Sequence, residues 1–360
     1  MLQKADPLRA FTTLVMAVVL AVLIGWILVV GKSVLMPIFI AIISVYVLLT
    51  ATAALARVPL IGLLPEWALR GVVLAIFVLV LLLLASVLVG TAEQVMARLP
   101  VYQKNLTDML ESISARFEIE EIPNLSTLIE TLWGRINLQR IAAVGIGSVG
   151  SLAGVIFMAV IYSTFLMAER GGFARKIAAV LPQERASQAH MMVRDINRNI
   201  GEYLTVKTLV NVILGVMSFT VLKLFGVDFA LFWAVLIGLL NYIPYVGSLL
   251  GVVFPVLLTL AQFGSIQTTV VVAILLTGAQ MWVGNSLEPR MIGRRINMSP
   301  FVVLVSLALW SSLWGIPGAI LAIPLTSMFA IILANFEGTR PIALLLAEDV
   351  QAVLQNGEEK

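Results

Sequence analysis

Cysteine is absent from this 360-residue chain, and histidine occurs once. Disulfide staples, thiol nucleophiles and cysteine-ligated metals are thereby excluded, and one imidazole is too few for most zinc sites or a Ser-His-Asp triad. Charge is scarce as well: 23 Lys and Arg with 20 Asp and Glu make up 12% of the residues, about half the share of a soluble domain. So few charged groups cannot cover a soluble protein of this size, which excludes an ordinary cytosolic enzyme, a disordered chain and a nucleic-acid binder. Apolar residues reach 60%, against roughly 45–50% in soluble domains. The net charge of +3 is small, so the placement of the charges matters more than their sum. The composition is that of a multi-span membrane protein.

Crossing about 30 Å of hydrocarbon takes roughly 20 helical residues. The runs Phe11–Val30, Val34–Ala56, Gly71–Gly90, Val144–Ala168, Thr208–Phe225 and Thr268–Gly284 each read as one span. Phe229–Leu260 and Pro300–Asn335 are too long for one pass, and each is interrupted: the first at Asn241–Gly247, the second at Gly315–Gly318. Each is expected to be either two crossings or a re-entrant hairpin. Lys4 and Arg9 before an apolar run fit a signal peptide, but the Ala54-Leu55-Ala56 box lies behind two apolar runs, so a retained first helix is the better reading.

Charge placement sets the expected orientation. Residues 92–143 hold seven acidic against five basic residues, and 169–207 hold seven basic, Lys207 among them, against four acidic. The positive-inside bias puts 169–207 in the cytoplasm and 92–143 outside. Lys4 and Arg9, followed by three spans, and Arg290, Arg294 and Arg295 agree with that assignment. The expected architecture is therefore all-α, with about eight membrane segments, two of them broken or re-entrant, and both termini cytoplasmic. It divides into an N-terminal three-helix region (1–91), a small helical extracytoplasmic insert (92–143) and a main membrane domain (144–360) with a cytoplasmic tail.

Within the insert, Val95, Tyr102 and Met109 alternate with Leu99, Leu106 and Ile113 in a heptad pattern, with Pro100 in the first turn of the expected helix. An amphipathic helix lying on its own membrane domain is favoured over an oligomerisation helix or gate. A second helix is expected over Leu125–Ile141. The run Gly145-Ile-Gly-Ser-Val-Gly150 matches the dinucleotide fingerprint, but no strand precedes it. Its glycines, with Gly154, read as close helix packing. No GxxxxGK[ST] or HExxH motif is present, and His190 lies in a polar stretch. No cofactor-binding motif or metal-ligand set can be identified.

Three clusters remain. In Asn241–Gly251, Pro244 breaks the helical ladder and Gly247 and Gly251 permit close contact. This is either a tight turn at the membrane surface or a broken helix lining a cavity, as in many transporters. In Asn285–Arg295, Glu288 and Arg290 flank Pro289 near hydrocarbon, where they are expected to pair and to form a gate or ion-coupling site with Asn285 nearby. Arg294 and Arg295 read as a headgroup anchor. Gly315, Pro317, Gly318 and Pro324 repeat the broken-helix theme, preceded by Trp310 and Trp314. Asn211, Gln280 and Asn285 inside spans read first as interhelical hydrogen-bonding groups.

In these clusters the chain resembles the autoinducer-2 exporter (AI-2E) family of bacterial membrane proteins. The matching pieces are Asn241-Tyr-Ile-Pro-Tyr-Val-Gly-Ser248, Leu287-Glu-Pro-Arg-Met-Ile-Gly293 and Leu309-Trp through Trp314-Gly-Ile-Pro-Gly-Ala-Ile-Leu-Ala-Ile-Pro-Leu-Thr326. The resemblance implies a multi-pass permease of the bacterial inner membrane that assembles as a homo-oligomer, a pentamer being one candidate order. It associates members with efflux of the quorum-sensing furanone and others with sodium(lithium)/proton antiport. The leading expectation is a secondary transporter or exporter of a small hydrophilic molecule. Asn241, Pro244, Gly247, Gly251, Gly315, Pro317, Gly318 and Pro324 would line its path, and Glu288, Arg290 and Asn285 would gate it. The alternatives are a cation/proton antiporter working through Glu288, with Asp228 a poor substitute, and a non-transporting oligomeric scaffold that contacts partners through 92–143. An intramembrane enzyme is not expected, since no nucleophile–base or paired-aspartate arrangement is present.

Overall fold

The computed structural model describes residues 7–57, 64–116, 154, 157–169, 176, 179–180, 182–292, 297–336 and 338–351. The glycine run 145–150, the helix expected over Leu125–Ile141 and the Arg294–Arg295 anchor lie outside them. The described residues form helices joined by short turns, without strands. In chain order the helices are α1 (Pro7–Val30), α2 (Lys32–Leu55), α3 (Glu66–Arg116), α4 (Phe157–Glu169), α5 (Gln183–Leu224), α6 (Ala230–Leu240), α7 (Val246–Phe263) and α8 (Ile266–Trp282). A π-helical turn (Val283–Leu287) joins α8 to α9 (Glu288–Ile292), followed by α10 (Pro300–Trp314), α11 (Ile316–Ala334) and α12 (Arg340–Leu346). Among the described residues, 6 helices are long and apolar enough to cross a membrane. Two of these, α7 and α11, are the longer arms of hairpins whose other arms, α6 and α10, are shorter. The chain is an integral, multi-pass membrane protein.

Both over-long apolar stretches fold as hairpins. Gln262, at the end of α7, accepts from the Asp228 backbone N–H (2.7 Å) and donates to the Gly226 carbonyl (2.9 Å), so the two feet of the α6–α7 hairpin meet. The α10–α11 hairpin starts where α8 and α9 end, at the opposite end of the bundle. Its feet are tied by α12 and the residues after it: the Ser299 N–H donates to the Leu346 carbonyl, and the Asn297 side chain bonds the Asp349 backbone twice. The two hairpins therefore enter from opposite ends.

The long helix α5 links the two packing centres. Its Ile200, Tyr203 and Leu204 join Ile43 of α2, Ile243 of the first hairpin's tip, and Trp310, Trp314, Leu321 and Leu325 of the second hairpin. Val210, Leu214 and Leu222 face Ala230 and Ile237 of α6 and Val272, Leu276 and Val283 along α8. Glycines permit the α5–α6 approach, since a Cβ at Gly238 would lie 3.1 Å from the Asn211 carbonyl oxygen. Helix α4 packs Met167 beside Val45 and Leu48 of α2 and Val73 of α3. By contrast, α1 is exposed along most of its length.

The border expected at 91/92 falls inside α3, which runs unbroken from its membrane span into the amphipathic arm. Pro100 sits in the interior of this helix rather than in a first turn. It is exposed there, where water can satisfy the backbone group its ring leaves unpaired. The arm lies on the feet of the first hairpin. Tyr102 is buried and donates to Asp228 (2.9 Å), Arg98 pairs with the same carboxylate (2.9 Å), and Asn105 donates to the Gln262 carbonyl (2.5 Å). Burial, reinforced by the Asp228 hydrogen bond, holds the Tyr102 hydroxyl well above the usual phenol range, so it stays a donor.

Candidate functional site

The tip of the α6–α7 hairpin is where backbone and side chains depart furthest from an ordinary membrane helix. Pro244 has no N–H to continue α6, and the chain tightens instead: Tyr242 and Ile243 donate to the carbonyls three residues back. Next comes a γ-turn, Val246 N–H to the Pro244 carbonyl at 2.6 Å, with Tyr245 at φ 60° and ψ −56°. Positive φ in a non-glycine residue costs about 1–3 kcal/mol, and such strain clusters at functional sites. The Tyr245 side chain is exposed and contributes little packing to offset the strain. The two arms then cross closely. A Cβ at Gly247 would overlap the Leu240 carbonyl oxygen, whereas one at Gly251 would meet Ile237 in ordinary contact at 3.5 Å.

This tip is deep in the bundle. It reaches α8 at Gln280, about 21 Å along that helix from its start, and α5 at Asn211, about 20 Å from that helix's end. There Asn241, 7% exposed, sits between two other amides. It donates to Asn211 Oδ1 (2.8 Å) and accepts from Gln280 Nε2 (2.8 Å). Gln280 Oε1 is buried without a hydrogen-bond partner, and Asn211 Nδ2 has only the Tyr242 hydroxyl beside it, outside good hydrogen-bond geometry. Exchanging O and N along the whole chain of amides would reverse its direction but still leave one donor and one acceptor unmet at its ends. Tyr242 shares a hydrogen bond with Thr208 (2.7 Å), the residue next to Lys207.

Lys207 is almost fully buried in α5, and its ammonium lies 2.5 Å from the Glu288 carboxylate. The π-helical turn places that carboxylate. Pro289 has no N–H for the Asn285 carbonyl and its ring would clash there, so the helix widens by one residue. The Glu288 N–H then reaches Val283. The expected Glu288–Arg290 pair does not form: Glu288 turns to Lys207 and Arg290 is exposed. Residues two apart on a helix do not face each other. Asn285 is exposed on the same turn, away from the amide chain.

The other candidates fall into a different setting. Gly315 (φ 68°) makes the exposed turn between α10 and α11, and Pro317 begins α11. A Cβ at Gly318 would overlap the Trp310 carbonyl oxygen. Pro324 is buried on α11. The hairpin's indole N–H groups are bonded, Trp310 to Thr326 and Trp314 to the Leu28 carbonyl, both at 3.0 Å, and its buried Ser306 and Ser327 donate to the Val302 carbonyl and to Met298. It is a tightly packed apolar unit, and Ile243 of the first tip joins its core. Among the described residues no cluster of three His, Asp or Glu side chains could hold a metal ion.

Two features of the site escaped the sequence reading: the role of Lys207, counted only among the basic residues of a cytoplasmic stretch, and the convergence of Asn211 and Gln280 on Asn241. The available signal was a lysine set among Leu204, Val206, Leu209 and Val210.

The chain is 34% identical over 256 residues to a "Putative transport protein" of Borreliella burgdorferi, covering 70% of this chain and 68% of that one. It is 32% identical over 287 residues to the "Putative transport protein YhhT" of Escherichia coli K12, covering 77% and 80%. Over a shorter stretch of 150 residues it is 36% identical to the E. coli "AI-2 transport protein TqsA", covering 42% of this chain and 43% of that one. The model of the AI-2E family transporter matches residues 13–338. The chain belongs to the AI-2E transporter family.

Proposed function

We propose that this protein is a secondary transporter that carries a small hydrophilic solute across the bacterial inner membrane, with the buried tip of the α6–α7 hairpin as its solute site. One observation carries this reading: a row of amides deep in an apolar bundle ends in an acceptor without a partner, Gln280 Oε1, and in a donor, Asn211 Nδ2, that has only the Tyr242 hydroxyl beside it, outside good hydrogen-bond geometry. Each unmet buried group costs about 1–3 kcal/mol. A polar solute or water that reaches the tip recovers that energy. Broken backbone at membrane depth is tolerated where it is enclosed by protein or borders water, and the strained tip meets that condition.

The basic stretches around 169–207 and 286–299 face the cytoplasm in this reading, as do both termini. The α6–α7 hairpin then enters from outside beneath the α3 arm, and the α10–α11 hairpin enters from the cytoplasm. The exposed length of α1 is covered by lipid or by a second copy in a homo-oligomer. The solute is autoinducer-2 or a similar uncharged hydroxylated molecule, which suits amide hydrogen bonding and the AI-2 name of one relative.

Counterflow of labelled autoinducer-2 into solute-loaded proteoliposomes tests this. Asn241→Ala removes two hydrogen bonds at the tip and is expected to slow exchange at least about tenfold. Asn285→Ala, on the exposed π-turn, leaves it near wild type. Absence of exchange in the wild type, or equal rates for Asn241→Ala and wild type, would overturn the proposal.

A further inference from the structure

We propose that the Lys207–Glu288 ion pair is the positioning element of the solute site, holding α5 and α8 at the separation across which the amide row binds its solute. This rests on the transport reading and adds the residues that set the geometry of its site. Lys207 is 4% exposed, and its ammonium meets a Glu288 carboxylate oxygen at 2.5 Å, joining α5 to the start of α9. On α5, Asn211 follows Lys207 by four residues, so the two side chains share a face, about 6 Å apart along the axis. On the opposite element, Gln280 and Glu288 are eight residues apart. An unbroken α-helix would set them about 80° apart around its axis. The π-turn between them absorbs one residue, which brings the same eight residues to within about 20° of two full turns and puts both side chains on one face.

Two rungs therefore join the same pair of elements. One is direct and ionic, Lys207 to Glu288. The other runs from Asn211 through Asn241 to Gln280 and passes through the tip of the α6–α7 hairpin. Thr208, next to Lys207, bonds Tyr242, next to Asn241, so the tip is registered against the ionic rung as well. The amide rung does not fix its own length, because Gln280 Oε1 is left without a partner. A binding constellation has to be held to within about 0.5 Å, and the charge-assisted bond of the neighbouring rung supplies that constraint. Stability alone does not call for the pair. The desolvation of two buried charges largely offsets their attraction, and apolar groups of similar volume would hold the helices together as well. What the pair adds is a fixed length and direction.

Replacing both charges by apolar groups separates positioning from stability. Lys207→Met/Glu288→Leu is expected to unfold in mixed micelles no earlier than the wild type. In autoinducer-2 counterflow it is expected to raise KM at least about tenfold, with the maximal rate per folded protein within about threefold of wild type. Lys207→Arg/Glu288→Asp lengthens one arm of the pair and shortens the other, and is expected to return KM to within about threefold of wild type. The natural absence of cysteine allows a second readout that needs no solute. Asn211→Cys/Gln280→Cys is bridged in reconstituted protein with bifunctional thiol reagents of graded length. One narrow optimum of length is expected with the ion pair intact, and a broad one when Lys207→Met/Glu288→Leu is added. Wild-type KM in the apolar double variant, a raised KM that Lys207→Arg/Glu288→Asp shares, or the same narrow optimum with and without the ion pair would overturn the proposal. The expected bridging pattern without autoinducer-2 exchange in the wild type would keep the pair as the positioning element and overturn the solute assignment.

Discussion

Gly247 and Gly251 lie one turn apart on α7, and both were read from sequence as residues of a broken transport helix, yet alanine is expected to have opposite effects at the two. At Gly247 the new Cβ would overlap the Leu240 carbonyl oxygen and come 3.2 Å from the Asn241 nitrogen. Both neighbours are backbone, so the hairpin arms must separate. Overpacking of this kind costs roughly 3 kcal/mol. At Gly251 the Cβ meets only the Ile237 side chain, at 3.5 Å and beyond. There the helix gains up to about 1 kcal/mol from replacing glycine. The two variants should therefore differ by about 4 kcal/mol. Reversible unfolding in mixed micelles, read by far-ultraviolet circular dichroism, measures this directly. Because Asn241 adjoins the displaced Leu240, Gly247→Ala should also slow solute exchange. Equal stability of the two variants would refute close crossing of the arms as the reason for glycine at 247.

Three further substitutions probe the rest of the site. Tyr245→Gly relieves the positive φ at an exposed position and is expected to raise stability by about 1 kcal/mol in the same unfolding assay. Tyr102→Phe removes the hydroxyl that donates to Asp228 and should lower stability by about 1.5–3 kcal/mol, whereas Arg98→Ala, which removes a guanidinium that is itself exposed to solvent, should cost about 1 kcal/mol or less. Pro289→Ala restores an N–H for the Asn285 carbonyl, so the π-turn should close into ordinary α-helix and rotate Glu288 away from Lys207 by about 100°. Carbodiimide coupling of the two side chains, mapped by mass spectrometry, should then fall sharply.

How much of this was legible in the sequence depended on how local the cause was. The two hairpins announced themselves because Pro244, Gly247, Gly315 and Pro317 break helices by rules that act within a few residues. Their return to the same end followed from counting basic segments. The switch from apolar to heptad pattern near residue 91 looked like a boundary, but a helical backbone does not register what its side chains face, and α3 continues through it. The ion pair was out of reach for a plainer reason: Lys207 and Glu288 are 81 residues apart. Charge proximity in sequence suggested Arg290 instead, and helical geometry points that residue elsewhere. The three-amide row was half visible, as polar residues inside spans, but its convergence depends on the depth to which the hairpin tip descends.

The most direct test is the position of a bound solute in a structure of the protein reconstituted with autoinducer-2. The expected density lies at the α6–α7 tip, within hydrogen-bonding distance of Asn211 and Gln280 and beside the Lys207–Glu288 pair. Density at the Gly315–Pro324 hairpin, or on the surface of the α3 arm with the amide row still closed, would contradict the assignment.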